Sequence, residues 1–139
     1  MTIKADTLSF ATRGNGDMKD ITGLVQESLE RSGLKDGIVV VFATGSTAAV
    51  TTIEYEPGLE SDFARLMERL APAGASYEHD KRWGDGNGFS HVRASLVGPS
   101  LTVPFTGGRL RLGTWQQIVC VDFDNRSRTR TVALQFMGE

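Results

Sequence analysis

The stretch Gly37-Ile38-Val39-Val40-Val41-Phe42 is the most strongly patterned segment of the chain. β-Branched and aromatic side chains dominate it, and such residues favour a β-strand. No polar residue interrupts the apolar run, so the pattern predicts a strand that is buried on both faces. We expect this segment to be the most buried strand of the fold.

Further strand patterns lie on both sides of this segment. Alternating or β-branched stretches predict strands at residues 3–12, 49–55, 100–105, 109–112, 114–123 and 128–137. Turn residues separate these stretches, and Thr106-Gly107-Gly108 and Asp124-Asn125 predict hairpin connections.

Apolar residues at helical spacing predict three helices. These helices cover residues 17–31, 59–70 and 90–97. Asp17 and Ser90 are the predicted N-terminal caps of the first and third helices. Residues 72–88 form a polar, glycine-rich loop of about 17 residues, and loops of that length in a compact domain are often functional.

The count of elements decides the fold class. About seven strands and three helices without regular βαβ alternation predict an α+β fold with a mainly antiparallel sheet or sandwich core. A chain of 139 residues is most economically one domain, residues 1–139.

Composition narrows the classes of function. A net charge of -2 argues against general nucleic-acid binding, which needs a basic excess. No apolar run is long enough to span a membrane, and the charged N-terminus does not resemble a signal peptide, so a cytoplasmic location is expected. The single cysteine, Cys120, lies in an apolar run and is predicted to be a small buried hydrophobe.

Both histidines of the chain, His79 and His91, lie in the polar segment 77–91. Imidazole is the side chain best suited to metal binding and to proton transfer near neutral pH, so this segment is the leading candidate for a reaction centre. The spacing of twelve residues matches neither a metalloprotease helix nor a zinc finger. The alternative is a pair of surface-loop histidines that share no role.

A shared metal site needs a third ligand, because catalytic divalent sites typically use three protein ligands. Glu54, Asp80 and Asp85 are the candidates in this chain, and another subunit is a further source. Glu54 lies in a predicted strand. If its carboxylate points inward it would serve as a general base or a metal ligand, and if it points outward it would only aid solubility.

Two glycine-containing segments are candidates for holding an anion. Asp85-Gly86-Asn87-Gly88 lacks the acidic positions of a calcium loop, but its glycines let side chains or bare N–H groups approach a ligand. Thr44-Gly45-Ser46-Thr47 follows the core strand, and its N–H groups and hydroxyls would hold a phosphate. For each segment, a plain turn is the alternative.

Three arginines, Arg126, Arg128 and Arg130, are predicted to project to one side of the last hairpin. The favoured interpretation is a solvated face that Asp122 and Asp124 neutralise.

Several of these segments, taken in order, resemble the YjbQ family, which is also labelled "secondary thiamine-phosphate synthase". The likeness runs from about residue 37 to the C-terminus. It rests on Gly45-Ser46-Thr47-Ala48-Ala49-Val50-Thr51 followed by Glu54, Tyr77-Glu78-His79, Asn87 through Ser90-His91-Val92-Arg93-Ala94, Leu96-Val97-Gly98-Pro99-Ser100-Leu101-Thr102-Val103-Pro104, and Leu112-Gly113-Thr114-Trp115-Gln116.

The resemblance implies a β-rich α+β domain that assembles as a homotrimer with pockets near the subunit boundaries. It also implies three histidines that bind a divalent metal ion, Mg²⁺ or Zn²⁺, and two of them match His79 and His91. The third position is Gly45 in this chain. The expectation is therefore a two-histidine metal site completed by a carboxylate or water, or a pocket that binds an anion without metal.

The activity implied by the resemblance joins a pyrimidine pyrophosphate to a thiazole phosphate and releases pyrophosphate, as a weak, secondary reaction. His79, His91 and Glu54 are then the predicted catalytic groups, with His79 and His91 as metal ligands. The predicted contacts to a small phosphorylated metabolite are Gly45, Ser46, Thr47, Asp85, Asn87 and Arg93. The alternative is a non-catalytic protein that binds a phosphorylated metabolite or an anion.

Overall fold

Two antiparallel sheets form the framework of the computed structural model, which describes all residues from Met1 to Glu139. The strands are β1 (Thr2–Thr12), β2 (Asp17–Asp20), β3 (Gly37–Ala43), β4 (Ala48–Ile53), β5 (Ser100–Thr106), β6 (Arg109–Leu110), β7 (Gln117–Asp122) and β8 (Arg128–Gly138). The helices are α1 (Thr22–Ser32), α2 (Pro57–Leu70), α3 (Glu78–Trp83) and α4 (Gly88–Val97).

The larger sheet has the strand order β1-β8-β3-β5-β6, and the smaller sheet has the order β2-β7-β4. Every pairing in both sheets is antiparallel. The predicted α+β class with an antiparallel core is therefore confirmed. None of the four helices is long and apolar enough to cross a membrane.

Two apolar clusters hold these layers together. The larger cluster joins the inner face of the large sheet to α1 and to one face of the small sheet, and Val39, Leu134 and Ile118 lie at its centre. The smaller cluster packs the other face of the small sheet, including Val119 and Val121, against α2 and α4. Because β7 contributes to both clusters, its residues from Ile118 to Val121 are fully buried. Cys120 lies among them, as predicted, and burial raises the pKa of its thiol to about 12.

Strand β3 departs from its prediction. Val39, Val41 and Ala43 point into the core, but the side chains between them reach the outside of the sheet, and Ile38 and Phe42 are 38% and 42% exposed. The prediction of burial on both faces is wrong for the single chain, because no layer of the same chain covers the outer face of the large sheet. β7, not β3, is the strand buried on both sides.

The first predicted helix begins too early. Residues 17–20 form β2, which pairs with β7 from Asp122 to Val119, and α1 begins only at Thr22. Met18 of β2 is buried in the smaller cluster. Pairing with a fully buried strand outweighs the helical spacing of the local sequence.

The loop predicted at 72–88 contains α3, a helix of six residues. It is too short to show a helical period, which explains why the sequence did not reveal it. Helix α4 begins at Gly88 with Asn87 as its cap residue, so the assignment of Ser90 as the cap is also wrong. Ser90 lies inside α4 and is completely buried.

The Asp124-Asn125 turn does not connect a hairpin. It joins β7 of the small sheet to β8 of the large sheet, so the chain changes sheets at this turn. A turn signal describes the local backbone and carries no information about the partner of the following strand. This change of sheet brings Asp122 and Asp124 into the interior.

Candidate functional site

The side chain of Asp122, at the end of β7, forms the centre of a buried polar network. Both of its oxygens accept hydrogen bonds from Arg130 of β8, from Nη2 at 2.6 Å and from Nε at 2.7 Å. The Thr12 hydroxyl and the N–H group of Asp124 donate to the same carboxylate. Asp122 is completely buried, so a paired arginine and additional donors are what make its charge tolerable there.

Asp124 extends the network toward two loops. Its Oδ2 accepts from the Thr47 hydroxyl at 3.1 Å and from Nε of Arg128 at 2.8 Å, and its Oδ1 accepts from Nδ2 of Asn87 at 3.4 Å. Burial alone would raise the pKa of Asp124. Hydrogen bonds from the N–H of Asn125 and from these three side chains outweigh that effect and hold the pKa below its ordinary value.

The prediction of a solvated arginine face is wrong for Arg130, which is only 8% exposed. Along β8 the inward positions alternate, and Arg130 shares its parity with Val132 and Leu134 of the core. This alternation is visible in the sequence, and it could have predicted that the side chain of Arg130 points inward. The predicted neutralisation of these arginines by Asp122 and Asp124 is observed for Arg128 and Arg130, but the pair of Arg130 with Asp122 is buried and not solvated.

The two histidines lie side by side. His79 is on α3 and His91 is on α4, and their ring centroids are 4.4 Å apart with an angle of 38° between the ring planes. α4 is positioned by Asn87, whose carbonyl accepts the N–H groups of Ser90 and His91 and whose side chain reaches Asp124. The buried network therefore fixes the helix that carries His91.

Nδ1 of His79 is buried and has no hydrogen-bond partner. It lies 3.6 Å from Oδ1 of Asp80 and 3.5 Å from Oδ1 of Asp85, both too long for a hydrogen bond. Asp80 is held in place because the same oxygen accepts the N–H of Gly88 at 2.8 Å. Gly88 can approach so closely because it lacks a side chain: a Cβ atom there would lie 2.6 Å from Cβ of Tyr77.

These distances are compatible with a shared metal ion. Two ligand atoms about 2.1 Å from one tetrahedral ion lie about 3.4 Å apart. The ligand atoms of His79, Asp80 and Asp85 all lie within 4.8 Å of one another. One imidazole nitrogen with two carboxylates suits Zn²⁺ or Mn²⁺ better than Mg²⁺, which prefers oxygen ligands and retains several waters. His91 is outside this set of three, although its ring packs on His79.

Two more buried polar atoms near the histidines lack partners, namely Oδ1 of Asn87 and Oγ of Ser90. Both belong to the first turn of α4 or to its cap. Buried polar atoms are nearly always paired in folded proteins, so these two atoms are exceptions that no contact within the chain explains.

The other predicted site residues are not all in this place. Thr47 is linked to the buried network because its hydroxyl donates to Asp124. Asp85 lies beside His79 and Asp80 as one of the three possible metal ligands. Glu54 is exposed and lies just beyond the far end of β4, roughly 20 Å along the strand from Thr47 at about 3.3 Å per residue. Glu54 as a catalytic group stays a prediction, and its observed position is exposed and at the opposite end of β4 from Thr47.

Arg93 is buried in α4 and is already paired. Its Nε donates to the carbonyl of Ala71 at 2.9 Å, its Nη2 donates to Glu68 at 2.6 Å, and its guanidinium stacks on Phe89. These contacts attach α4 to the end of α2. Arg93 as an anion contact stays a prediction, and its observed contacts are those of a residue that holds two helices together.

Replacing Asp124 by asparagine should destabilise the protein. We expect Asp124→Asn to lower the free energy of unfolding at pH 7 by about 3 kcal/mol, because a buried ion pair loses one charge. The folded pKa of Asp124 lies below the unfolded value of about 3.9, so its contribution is complete above that pH and is lost as the pH falls further. The difference between the two proteins should therefore shrink in acid.

Urea denaturation at several pH values measures this difference. Asp62→Asn is the matched control, because Asp62 is an exposed residue whose only ion pair lies on the surface of α2. It should change the free energy of unfolding by less than about 0.5 kcal/mol. Equal stability of Asp124→Asn and the wild type at pH 7 would contradict the assignment.

Comparison with known proteins gives the family. The model of the family described as "UPF0047 protein YjbQ-like" matches residues 6–139. A UPF0047 protein of Archaeoglobus fulgidus is 38% identical over 128 residues, which cover 92% of this chain and 97% of the relative. One of Methanothermobacter thermautotrophicus is 37% identical over 139 residues, covering 100% of this chain and 95% of the relative.

Solved structures agree with the sequence comparison. The crystal structure of a YbjQ-like protein of unknown function from Sulfolobus solfataricus P2 matches with a TM-score of 0.89 and 29% identity, covering 99% of this chain and 100% of that one. A hypothetical protein from Aeropyrum pernix K1 matches with a TM-score of 0.86 and 37% identity, covering 96% and 99%. The family resemblance drawn from the motifs is confirmed: the chain belongs to the YjbQ-like UPF0047 family.

Proposed function

We propose that this protein binds a divalent transition-metal cation through His79, Asp80 and Asp85 and acts on a small phosphorylated metabolite at that place. The observation that carries the proposal is the buried Nδ1 of His79, which has no hydrogen-bond partner and faces two carboxylate oxygens at 3.5 and 3.6 Å. An imidazole nitrogen that is buried without a partner is costly unless something binds it.

The residues around Nδ1 of His79 have different roles in this proposal. Asp80 is fixed by the N–H of Gly88, whereas the side chain of Asp85 is 53% exposed and leaves the outer side open to a substrate. A bound divalent cation would supply Lewis-acid stabilisation of charge on phosphate oxygens. His91 lies against His79 outside the ligand set, so we assign it proton transfer. His91 as a direct metal ligand stays a prediction.

The reaction proposed for this site is the weak transfer that the family resemblance implies. A nitrogen of the thiazole phosphate forms a bond to the carbon that carries pyrophosphate, and the C–O bond breaks with its electron pair on the departing pyrophosphate. Such a reaction needs positive charge and hydrogen-bond donors at the leaving group. The two carboxylates bind only the cation in this scheme, so the donors must come from elsewhere in the chain.

A second candidate is a non-catalytic protein that binds a phosphorylated metabolite or an anion. It is favoured by Gly45, which stands where the resemblance places the third histidine. Glu54, the predicted general base, is also exposed and lies at the opposite end of β4 from Thr47.

We also propose that the chain forms the homotrimer implied by the resemblance. The outer face of the large sheet supports this, because Ile38 and Phe42 of β3 and Ile3 of β1 are exposed there without a covering layer. In an assembly the same face would be buried, which is what the apolar run of β3 predicted.

Light scattering on the purified protein tests the assembly. We expect a mass three times the 15.1 kDa of the single chain. Phe42→Glu should shift the protein toward single chains, because a charge on this face must be desolvated in the interface. Glu30→Gln, an exposed change on α1, is the control and should leave the mass unchanged. A wild-type mass of one chain would contradict the trimer.

Calorimetric titration of the metal-free protein with Zn²⁺ and Mn²⁺ tests the metal site. His79→Ala and Asp85→Asn should each weaken binding at least tenfold, since each removes a ligand. Asp62→Asn, a surface carboxylate on α2, should bind as the wild type does. Equal binding by all four proteins would contradict the site.

The same samples separate the two candidate functions. With the pyrimidine pyrophosphate and the thiazole phosphate present, a transferase releases pyrophosphate in a metal-dependent way, and His91→Ala should slow this release while metal affinity is retained. Tight binding of either compound without any pyrophosphate release would favour the binding protein and contradict the transferase.

A further inference from the structure

Arg130 has a part of its guanidinium that the buried network does not use. Its Nε and Nη2 donate to Asp122, and Nη2 also donates to the Thr47 hydroxyl at 2.6 Å. Nη1 donates to no atom of the chain, and it is not one of the buried side-chain atoms that lack a partner, so it reaches the surface. The N–H bonds of Nη1 are therefore available to a bound group.

Nη1 is exposed next to the backbone of Gly45. A Cβ atom built on Gly45 would lie 2.8 Å from Nη1, which is closer than real side-chain carbons approach. Apart from Gly45 itself and its neighbours Thr44 and Ser46, no other heavy atom except Cζ of Arg130, at 3.8 Å, would come within 4 Å of that Cβ. Glycine is thus the residue that leaves the tip of Arg130 uncovered.

The loop around Gly45 presents further unused donors. The N–H groups of Gly45, Ser46 and Thr47 donate to no atom of the chain, and the same holds for the Ser46 hydroxyl. Consecutive free N–H groups at a turn form a concave place that attracts anions. Here they lie beside Nη1 of Arg130, whose N–H groups form charge-assisted hydrogen bonds because the guanidinium is ionised.

The carboxylates of Asp122 and Asp124 do not use the N–H groups of Nη1. Every oxygen of Asp122 and Asp124 already accepts at least two hydrogen bonds from the network. Arg130 and Arg128 balance the two negative charges. Three hydrogen bonds also hold the guanidinium in one orientation, so little conformational entropy is lost when Nη1 binds a ligand.

We propose that Nη1 of Arg130 and the free N–H groups of Gly45 and Ser46 form a binding site for a phosphate group, opened by the glycine at position 45. This deepens the proposed function, because it supplies the donors that a departing or bound phosphate needs. The site is tied to the histidines through Asp124, which holds Thr47 on one side and Asn87 on the other. Several donors converging from different directions suit a tetrahedral oxyanion better than a planar carboxylate.

Gly45→Ala is the sharpest test, because it removes no charge and no donor, while its Cβ, which would lie 2.8 Å from Nη1, covers or displaces that nitrogen. The backbone at Gly45 is not left-handed, so alanine adds no backbone strain. Inorganic phosphate is titrated calorimetrically into the protein at constant ionic strength with EDTA present, which removes any metal. We expect the dissociation constant for phosphate to rise at least tenfold in Gly45→Ala, the factor for losing one hydrogen bond to a charged group.

Gly74→Ala is the matched control, since a Cβ atom at Gly74 would meet nothing within 4 Å. It should bind phosphate as the wild type does. Arg130→Lys is a second variant that keeps the charge and lacks Nη1, and it should also lose phosphate binding where circular dichroism shows that it is folded. Acetate at the same ionic strength should bind at least tenfold more weakly than phosphate.

The outcomes separate this inference from the proposed metal site. Phosphate binding that depends on Gly45 supports the inference, whether or not Zn²⁺ binds at His79. Unchanged phosphate affinity in Gly45→Ala, no phosphate binding by the wild type, or equal affinity for acetate would each overturn it, and Zn²⁺ binding could still be intact.

Discussion

Asp122 and Asp124 carry two carboxylates into the interior at the point where the chain passes from one sheet to the other. Neither is exposed to solvent at all, and each is paired with an arginine from the start of β8. An unpaired charge there would cost several kcal/mol, so the fold must bring donors to both. The donors come from β1, from the loop after β3, from the cap of α4 and from β8. The requirement to satisfy these two side chains therefore fixes the relative positions of four separate segments.

The candidate site lies at the edge of this network. Thr47 and Asn87 are far apart in sequence, but each donates to a different oxygen of Asp124. Asn87 in turn positions α4 and the ring of His91, which packs on His79. The buried charges thus hold the proposed phosphate site and the proposed metal site at a constant separation. A site that is held in this way is preorganised and does not need to be assembled when a ligand binds.

The sequence predicted the parts of this arrangement that depend on local pattern. The α+β class followed from the strand patterns, and the concentration of polar residues around His79 and His91 was visible directly. β2 was missed because its strand character comes from pairing with β7, and α3 was missed because six residues show no helical period. Asp122 and Asp124 were expected to neutralise the arginines of the last strand, but Arg130 was assigned to a solvated surface because the passage of the chain from the small sheet to the large sheet, which buries the pair, is not a local pattern.

The departure at position 45 has a physical counterpart in the fold. The family resemblance places a histidine there, and in this chain the same space lies open above Nη1 of Arg130. The loss of one imidazole is thus accompanied by the exposure of a guanidinium. An imidazole binds a metal or transfers a proton, whereas a guanidinium does neither and holds anions. In our proposal the chemistry at this position therefore moves from metal binding toward phosphate binding, while the metal site is the separate set His79, Asp80 and Asp85.

The most direct test of the coupling between the two loops is amide hydrogen exchange, measured residue by residue by NMR in the wild type and in Asp124→Asn. The N–H of Phe123 bonds to Thr47, and that of Ser90 bonds to Asn87, so these two amides report on the two loops. Both should exchange faster in the variant and by a similar factor, while the amides of β8 that pair with β1 and β3 in the middle of the large sheet should accelerate by no more than the roughly hundredfold set by the loss of about 3 kcal/mol in global stability. Acceleration at only one of the two amides, or at neither, would contradict the claim that Asp124 holds both loops.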